Sequence, residues 1–131
     1  MIISKNTSAV FNIKFHLVWC SKYRLKVLTG DVENRLMELL HEKAKLLDIE
    51  IETHEVMPDH VHLFLTCNNT NLSPNKIAAQ LKGYTSYQLR KEFKQLTTRM
   101  PCLWSRSYYI GTIGHISEET VKHYIKNQKK R

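Results

Sequence analysis

Hydrophobic and polar side chains alternate in two stretches of the chain, with the two-residue period of a β-strand that has one buried face. The first stretch places an apolar side chain at every second position: Phe11, Ile13, Phe15, Leu17 and Trp19. Between residues 60 and 66, valine and leucine share one face, while the other face carries His60, His62 and Phe64. Strand-forming residues predict two further strands, over Ile49–Met57 and Tyr108–Ile113.

Two other segments place apolar residues at the spacing of an amphipathic helix. From Asp31 to Leu47, valine, leucine and alanine recur every three or four positions. Ser73 and Pro74 have the residue types of a helix N-cap and first turn, and the helix that they begin is expected to continue to about Leu96. Each helix separates two of the predicted strands.

The predicted order of elements is β-α-β-β-α-β, followed by a closing helix. That helix begins at Ser117, because the two glutamates after it suit the positive end of a helix dipole. This order is typical of the ferredoxin-like (RRM-like) α+β sandwich, in which an antiparallel sheet carries two helices on one face. We expect a single domain over residues 1–131. The alternation places His60 and His62 on the face that the two helices leave free.

Composition indicates a folded and basic protein. Apolar residues make up 42% of the chain, and 20 Lys and Arg against 12 Asp and Glu give a net charge of +8. This excess favours a polyanionic partner such as nucleic acid. Widely spaced cysteines without a C-x-x-C pair, and the lack of a signal sequence or long apolar run, predict a reduced, cytoplasmic protein with no membrane partner.

His60 and His62 are separated by one residue, so on a strand their imidazoles leave the same face. Paired imidazoles are candidate metal ligands, but a chain with seven histidines contains such a pair by chance about 0.4 times. Solvated surface histidines are the alternative, and a metal site needs at least a third protein ligand. The neighbouring Asp59 follows Pro58, so a role in a turn or cap suits it better than metal binding.

In the closing helix, Tyr124 and Gln128 are four residues apart and therefore neighbours on one face. A tyrosine oxygen can act as a nucleophile that forms a covalent intermediate. A glutamine carbonyl is a hard, neutral ligand, which beside two imidazoles suits Mg²⁺ or Mn²⁺ better than Zn²⁺. The alternative is a helix packed through Val121 and Ile125, with Gln128 in water. Spacing alone leaves both open.

Four segments together resemble the single-tyrosine HUH transposases of small bacterial and archaeal insertion sequences, the TnpA type. They are VWCSKYR at 18–24, VMPDHVHLFL at 56–65, LKGYTSYQLRKEF at 81–93 with LWSRSYY at 103–109, and VKHYIKNQ at 121–128. They follow the family's order over nearly the whole chain, with no departure at the catalytic positions. The resemblance implies that His60, His62 and Gln128 bind Mg²⁺ or Mn²⁺ and that Tyr124 is the nucleophile.

The same resemblance implies an enzyme that cuts and rejoins single-stranded DNA at the ends of an insertion sequence. Attack by Tyr124 would leave a 5′-phosphotyrosine and a free 3′-OH, and the 3′-OH of another strand could reverse the step without ATP. The metal would help to neutralise charge on the scissile phosphate. Proteins of this type act as homodimers that bind a DNA hairpin, and the tyrosine helix of one subunit can complete the metal site of the other.

Basic and aromatic residues elsewhere are compatible with DNA binding. The second long helix carries basic side chains that could follow a phosphate backbone: Lys76, Lys82, Arg90, Lys91 and Lys94. A later segment interleaves aromatic and basic groups, as in a platform for unpaired bases: Trp104, Arg106, Tyr108 and Tyr109. The competing interpretations are a solvated helix face and a core or dimer-interface position for Trp104. Trp19, Tyr23 and Arg24 receive no individual role.

Two other function classes use related features. A non-catalytic RRM-like module has the same element order and binds RNA through aromatic residues on its sheet, but it has no use for His60, His62 and Gln128 as a set. A small metal-dependent phosphoesterase would act through a metal-bound water and would need no tyrosine. Trapping a covalent protein–DNA adduct distinguishes all three.

Overall fold

The computed structural model describes residues 4–6, 9–11, 13–68, 71–112 and 118–128. Six strands lie in this part of the chain: β1 (Ser4–Asn6), β2 (Ala9–Phe11), β3 (Ile13–Cys20), β4 (Ile49–Met57), β5 (His60–Cys67) and β6 (Tyr109–Thr112). The helices are α1 (Gly30–Leu46), α2 (Pro74–Glu92), the short α3 (Gln95–Thr98) and α4 (Glu118–Asn127), with a 3-10 turn over Lys22–Arg24. The predicted Ile113 and Ser117 lie outside the described residues.

The main sheet has the strand order β4-β5-β3-β6, and every neighbouring pair is antiparallel. Along the chain, α1 precedes the β4-β5 hairpin and α2 follows it. This connectivity and strand order are those of the ferredoxin-like sandwich, which confirms the predicted fold class. The predicted start of the first strand is wrong. Phe11 pairs with Ser4 in a separate hairpin of β1 and β2, so it does not extend the strand that carries Phe15.

The core lies between the sheet and the helices α1 and α2. Val61, Leu63 and Leu65 are fully buried on β5, as the alternation predicted, and they pack in one cluster with residues of both helices, such as Leu36 and Leu81. The opposite face of β5 carries the two histidines, which confirms their predicted side. Burial of the apolar side chains on a central strand therefore fixes the direction in which both imidazoles point.

The face opposite α1 and α2 is not free over β3. Val18 and Cys20, which alternate with the core-facing Leu17 and Trp19 on β3, are fully buried, and His16 on the same face is only 4% exposed. Helix α4 contacts β3. The prediction of an uncovered face is therefore wrong at this strand, because the closing helix returns to the sheet.

Helix α2 begins as predicted and ends early. Ser73 Oγ accepts a hydrogen bond from the backbone N–H of Lys76 at 3.2 Å, which is the expected N-cap. The helix ends at Glu92 because Phe93 adopts extended backbone angles. After this break, α3 turns Leu96 into the core, where it is 1% exposed. Within the described residues, no helix has the length and apolar character needed to cross a bilayer.

Candidate metal and nucleophile site

The imidazoles of His60 and His62 form the centre of the candidate site. Their ring centroids are 4.9 Å apart and the ring planes make an angle of 60°. Strand β5 is paired with β4 on one side and with β3 on the other, so the backbone of both histidines is held by two ladders. The site is therefore built on a rigid element, which suits metal binding.

Each of these rings is engaged through its Nδ1 atom. His60 Nδ1 lies 2.7 Å from Asp59 Oδ1, and His62 Nδ1 lies 3.3 Å from His16 Nε2. A proton on each Nδ1 leaves the lone pair of Nε2 for a metal ion, the arrangement that second-shell partners usually impose on ligating histidines. The described residues contain no group of three His, Cys, Asp or Glu side chains suited to a metal.

The pKa of His62 is lowered to about 4, mainly because the ring is buried and also because His60 and His16 lie nearby. The ring is therefore neutral at pH 7, the state in which imidazole binds metal. His16 stacks on Phe64 at 4.4 Å with nearly parallel planes, and burial lowers its pKa as well. His16 is absent from the predicted site residues, although the strand alternation places it on the same face as the site.

Asp59 is an orienting residue for His60 rather than a residue of the turn alone. Asp59 is 8% exposed, and its Oδ1 atom lies next to Nδ1 of His60. Its Oδ2 atom lies 2.9 Å from Nε and 2.7 Å from Nη2 of Arg24. Burial raises the pKa of this carboxyl, but the hydrogen bonds from His60 and Arg24 and the charge of Arg24 outweigh that effect and lower it. Asp59 is therefore ionised at neutral pH and holds the His60 ring in one orientation.

Tyr124 lies on α4, with its hydroxyl 3.4 Å from Ser107 Oγ and its ring centroid 6.4 Å from that of Tyr109. Burial raises the pKa of Tyr124 to about 12, while the hydrogen bond to Ser107 lowers it. Gln128 follows the last residue of α4 and is 6% exposed. The alternative that placed Gln128 in water is therefore wrong, since the turn after α4 buries its side chain.

The candidate DNA contacts fall into two groups. Four of them have exposed side chains: Lys76, Lys91, Lys94 and Arg106. Lys82 Nζ donates to the carbonyls of residues 105, 106 and 107 at 2.7–3.1 Å, and Arg90 donates to the carbonyls of residues 100 and 101. Tyr108 donates its hydroxyl hydrogen to Asn75 Oδ1 at 2.6 Å. These three side chains are thus engaged within the chain, while their contact with DNA stays a prediction.

Trp104 is a core residue and not part of a stacking platform. It is 6% exposed, its Nε1 donates to Lys82 O and Thr85 Oγ1, and its ring meets Trp19 edge-on at 5.6 Å. The competing interpretation given to Trp104 is therefore the correct one, since both indole rings fill the space between sheet and α2. Trp19, which had no assigned role, is fully buried.

A family model described as "Transposase IS200 like" matches residues 9–128. The chain belongs to this family. The ISDra2 transposase TnpA of Deinococcus radiodurans is 34% identical over 128 residues, which cover 96% of this chain and 91% of that protein. The transposase for insertion sequence element IS200 of Salmonella typhimurium is 28% identical over 90% of this chain and 78% of its own length. These relatives agree with the resemblance seen in the four segments.

Solved structures share the fold. A crystal structure of a Deinococcus radiodurans protein described as a transposase superposes with a TM-score of 0.88 at 30% identity, covering 98% of this chain and 99% of that one. A REP-associated tyrosine transposase bound to a REP hairpin has a TM-score of 0.59 at 14% identity, covering 93% and 68%. The second likeness concerns the fold alone. As a member of the IS200-like family, the protein is a DNA transposase.

Proposed function

We propose that this transposase cuts and rejoins single-stranded DNA through a 5′-phosphotyrosine on Tyr124, with Mg²⁺ or Mn²⁺ held by His60, His62 and Gln128. The observation that carries the proposal is the pair of imidazoles whose Nδ1 atoms are both engaged, which leaves two Nε2 atoms on one strand face. Family membership and the buried Gln128 support it further. The donor set of two imidazoles and a carboxamide fits a divalent ion of intermediate hardness.

When bound, the ion would polarise the scissile phosphate and neutralise part of the charge that develops on it. The oxygen of Tyr124 attacks the phosphorus, and the bond between phosphorus and the 3′ oxygen breaks. The phenol loses its proton, and the departing 3′ oxygen takes up a proton to become a free 3′-OH. Ser107 Oγ, 3.4 Å from the phenol oxygen, orients the nucleophile.

The second half of the reaction reverses the first on a different strand. A 3′-OH from another DNA end attacks the phosphotyrosine, and the oxygen of Tyr124 leaves as the new phosphodiester forms. Because one ester bond replaces another in each step, the reaction needs no ATP. Rejoining requires the protein to hold both ends at once, and we propose that a homodimer bound to DNA hairpins does so in the cytoplasm. The hairpin-bound REP-associated transposase, which shares the fold, is consistent with this part of the proposal.

The experiment is an attempt to trap the covalent intermediate. Single-stranded DNA from the ends of the element, labelled at its 3′ end, is incubated with protein and Mn²⁺ and separated on a denaturing gel. We expect a labelled protein band from the unmodified chain and none from Tyr124→Phe. A non-catalytic binding module would give no band, and a phosphoesterase would release DNA without one.

Tyr84→Phe is the matched control for this experiment, because Tyr84 also has a glutamine four residues further along its helix. In the structure Tyr84 donates to Glu42 and Gln88 donates to Glu92, so both side chains belong to the helical layer. Tyr84→Phe should therefore form the adduct as well as the unmodified chain. A labelled peptide that contains Tyr84, or an adduct on Tyr124→Phe, would disprove the assignment of the nucleophile.

Mixing two inactive variants tests whether the subunits share their active sites. Tyr124→Phe lacks the nucleophile and His62→Ala lacks a metal ligand, so neither should cut DNA alone. If the tyrosine helix of one subunit completes the site of the other, heterodimers of the two variants regain part of the activity. A mixture that stays inactive would show that each subunit uses its own tyrosine.

A further inference from the structure

Arg24 connects the candidate metal site to the helix that carries the nucleophile. Its Nε and Nη2 atoms donate to Asp59 Oδ2 at 2.9 and 2.7 Å, while Nη1 donates to the backbone carbonyl of Ile125 at 3.2 Å. Ile125 directly follows Tyr124 on α4, and the other oxygen of Asp59 binds His60 Nδ1 at 2.7 Å. A continuous chain of hydrogen bonds therefore runs from the backbone of α4 to the ring of His60.

We propose that Arg24 is a positioning residue that couples the docking of α4 to the orientation of His60. The guanidinium is a planar group with donors on three nitrogens, so it can bind a carboxylate on one side and a carbonyl on another at the same time. When α4 is docked, the contact with Ile125 O holds the guanidinium in the plane in which it binds Asp59 Oδ2. Asp59 then presents Oδ1 to His60, and Nε2 of His60 is held where a metal ligand is needed.

The backbone around Arg24 is built to place this side chain. Tyr23 and Arg24 have φ angles of 59° and 53°, which is the left-handed region that residues with a Cβ seldom adopt. Hydrogen bonds hold the turn in this conformation: Ser21 N–H donates to Asp59 O at 3.0 Å, Arg24 N–H to Ser21 O at 2.9 Å, and Ser21 Oγ–H to Leu25 O at 2.6 Å. Two consecutive left-handed residues carry a conformational cost, and such a cost is typical of positions that serve a site.

The Arg24–Asp59 ion pair is partly buried, so its attraction is stronger than that of an exposed ion pair on the surface. The side chains are 24% and 11% exposed, so solvent screens the interaction only in part. Removal of the guanidinium would leave the Asp59 carboxylate without one of its two partners, and this carboxylate could then rotate away from His60. The link also acts in both directions, because any coupling between two sites is reciprocal. Metal binding at His60 should therefore stabilise the docked position of α4.

This inference rests on the proposed function, since it needs a metal ion on His60 and a nucleophile on α4. The experiment measures two quantities that do not require DNA cleavage. One is the affinity for Mn²⁺, measured by titration calorimetry. The other is the rate of amide hydrogen exchange in α4 with and without Mn²⁺. Thermal unfolding of every variant shows whether the fold is intact.

Arg24→Gln removes the positive charge and two of the three contacts. We expect it to bind Mn²⁺ at least about tenfold more weakly, as the loss of a second-shell partner does at other metal sites. Mn²⁺ should slow amide exchange in α4 of the unmodified protein and slow it clearly less in this variant, in which Gln128 is the remaining proposed link between α4 and the metal. Arg99→Gln is the matched control, because Arg99 is exposed beyond α3, and it should behave like the unmodified protein.

Arg24→Lys separates the contact with Asp59 from the contact with the carbonyl of Ile125. A lysine keeps a cation for Asp59 but, as a point charge on one nitrogen, it cannot bind Ile125 O at the same time. We expect most of the Mn²⁺ affinity to return while the effect of Mn²⁺ on exchange in α4 stays as weak as in Arg24→Gln. A merely structural role for Arg24 would instead change the melting temperature, the affinity and the exchange rates together.

The outcomes distinguish this inference from the proposed function. If the unmodified protein binds no Mn²⁺, the proposed metal site itself is wrong. If it binds Mn²⁺ and Arg24→Gln binds equally well with the same effect on α4, the metal site stands and the coupling role of Arg24 is overturned. If Mn²⁺ slows amide exchange in α4 of Arg24→Lys as much as in the unmodified protein, the role of the Ile125 contact is contradicted as well.

Discussion

At the scale of single residues, the site depends on which nitrogen of each histidine is engaged. Asp59 and His16 occupy the Nδ1 atoms of His60 and His62, so the two free nitrogens are both Nε2. Burial and the neighbouring rings keep His62 neutral at physiological pH. A ring that is already neutral and already oriented loses little free energy when it binds a cation.

The lowered pKa of His62 predicts that the metal-free protein loses stability in mild acid. Its pKa is about 4 in the folded protein and 6.5 in the unfolded chain, so between these values the unfolded chain binds more protons. The free energy of unfolding should therefore decrease as the pH falls through this window. Each pKa unit corresponds to about 1.4 kcal/mol, and partial exposure of the ring reduces the total to about 2 kcal/mol.

Urea unfolding in the presence of a chelator, at about pH 7 and about pH 4.5, measures this effect. His62→Gln removes the titrating ring, so its loss of stability over the same range should be about 2 kcal/mol smaller. Equal losses for both proteins would contradict the assignment of the low pKa to His62.

The hydrogen bond between Ser107 and Tyr124 predicts a measurable role for Ser107 in positioning the phenol. Ser107→Ala removes a contact of 3.4 Å that also lowers the pKa of the phenol. We expect the rate of adduct formation to fall about fivefold, which corresponds to about 1 kcal/mol for one hydrogen bond. Ser86→Ala on α2 is the control and should leave the rate unchanged, as measured by the same trapping gel in a time course.

At the scale of elements, α2 fixes the position of residues 105–107, and Ser107 in this segment contacts Tyr124. Lys82, near the middle of α2, donates to three successive carbonyls before β6, and the last of them belongs to Ser107. Burial lowers the pKa of Lys82 to about 8, so the ammonium is still charged at pH 7. The indole N–H of Trp104 donates to the carbonyl of Lys82 and so ties the same segment to α2 a second time.

Lys82→Met should therefore destabilise the fold rather than only weaken DNA binding. The change keeps an aliphatic chain of similar length but leaves three carbonyls without their donor, and we expect the free energy of unfolding to fall by about 2 kcal/mol. Urea unfolding measures the change, and Lys76→Met on the exposed side of α2 should have an effect below about 0.5 kcal/mol. Equal stabilities of the two variants would show that Lys82 has no such structural role.

At the scale of the whole molecule, the basic residues of α2 and the candidate site lie on opposite faces of the sheet. Helix α2 packs on the face that carries Val61 and Leu63, whereas His60 and His62 are on the other. With a net charge of +8, the molecule can attract DNA to more than one surface. Basic residues behind the sheet therefore suit the proposed hairpin contact better than the proposed contact with the scissile phosphate.

This arrangement predicts that Lys91→Gln at the end of α2 and Lys94→Gln just beyond it weaken DNA binding without slowing the chemistry. Each lost phosphate contact should reduce the slope of log affinity against log salt by about 0.7 to 0.9. The rate of adduct formation at saturating protein should stay the same. Fluorescence anisotropy over a salt series measures the first quantity and the trapping gel the second; a slower rate with an unchanged slope would contradict the prediction.

The sequence by itself determined the order of the elements that form the main sandwich, the fold class and the faces of β5. The two-residue period of β5 fixes these faces, because burying Val61, Leu63 and Leu65 forces His60 and His62 to the other side. Helix spacing also predicted that Tyr124 and Gln128 are neighbours, although Gln128 lies one residue beyond the end of α4. Their roles came from the family resemblance and stay predictions. Such features depend on residues that are near each other along the chain or on the requirement to bury apolar surface.

Only the tertiary structure decided what surrounds these residues. His16, Arg24 and Ser107 approach the candidate site from β3, the 3-10 turn and the segment before β6. Their sequence separations from their partners range from 17 to 101 residues, so no local pattern relates them. The return of α4 to β3 depends in the same way on contacts across the fold. Periodicity reports which face a residue occupies, whereas strand pairing and helix docking decide which neighbours it has there.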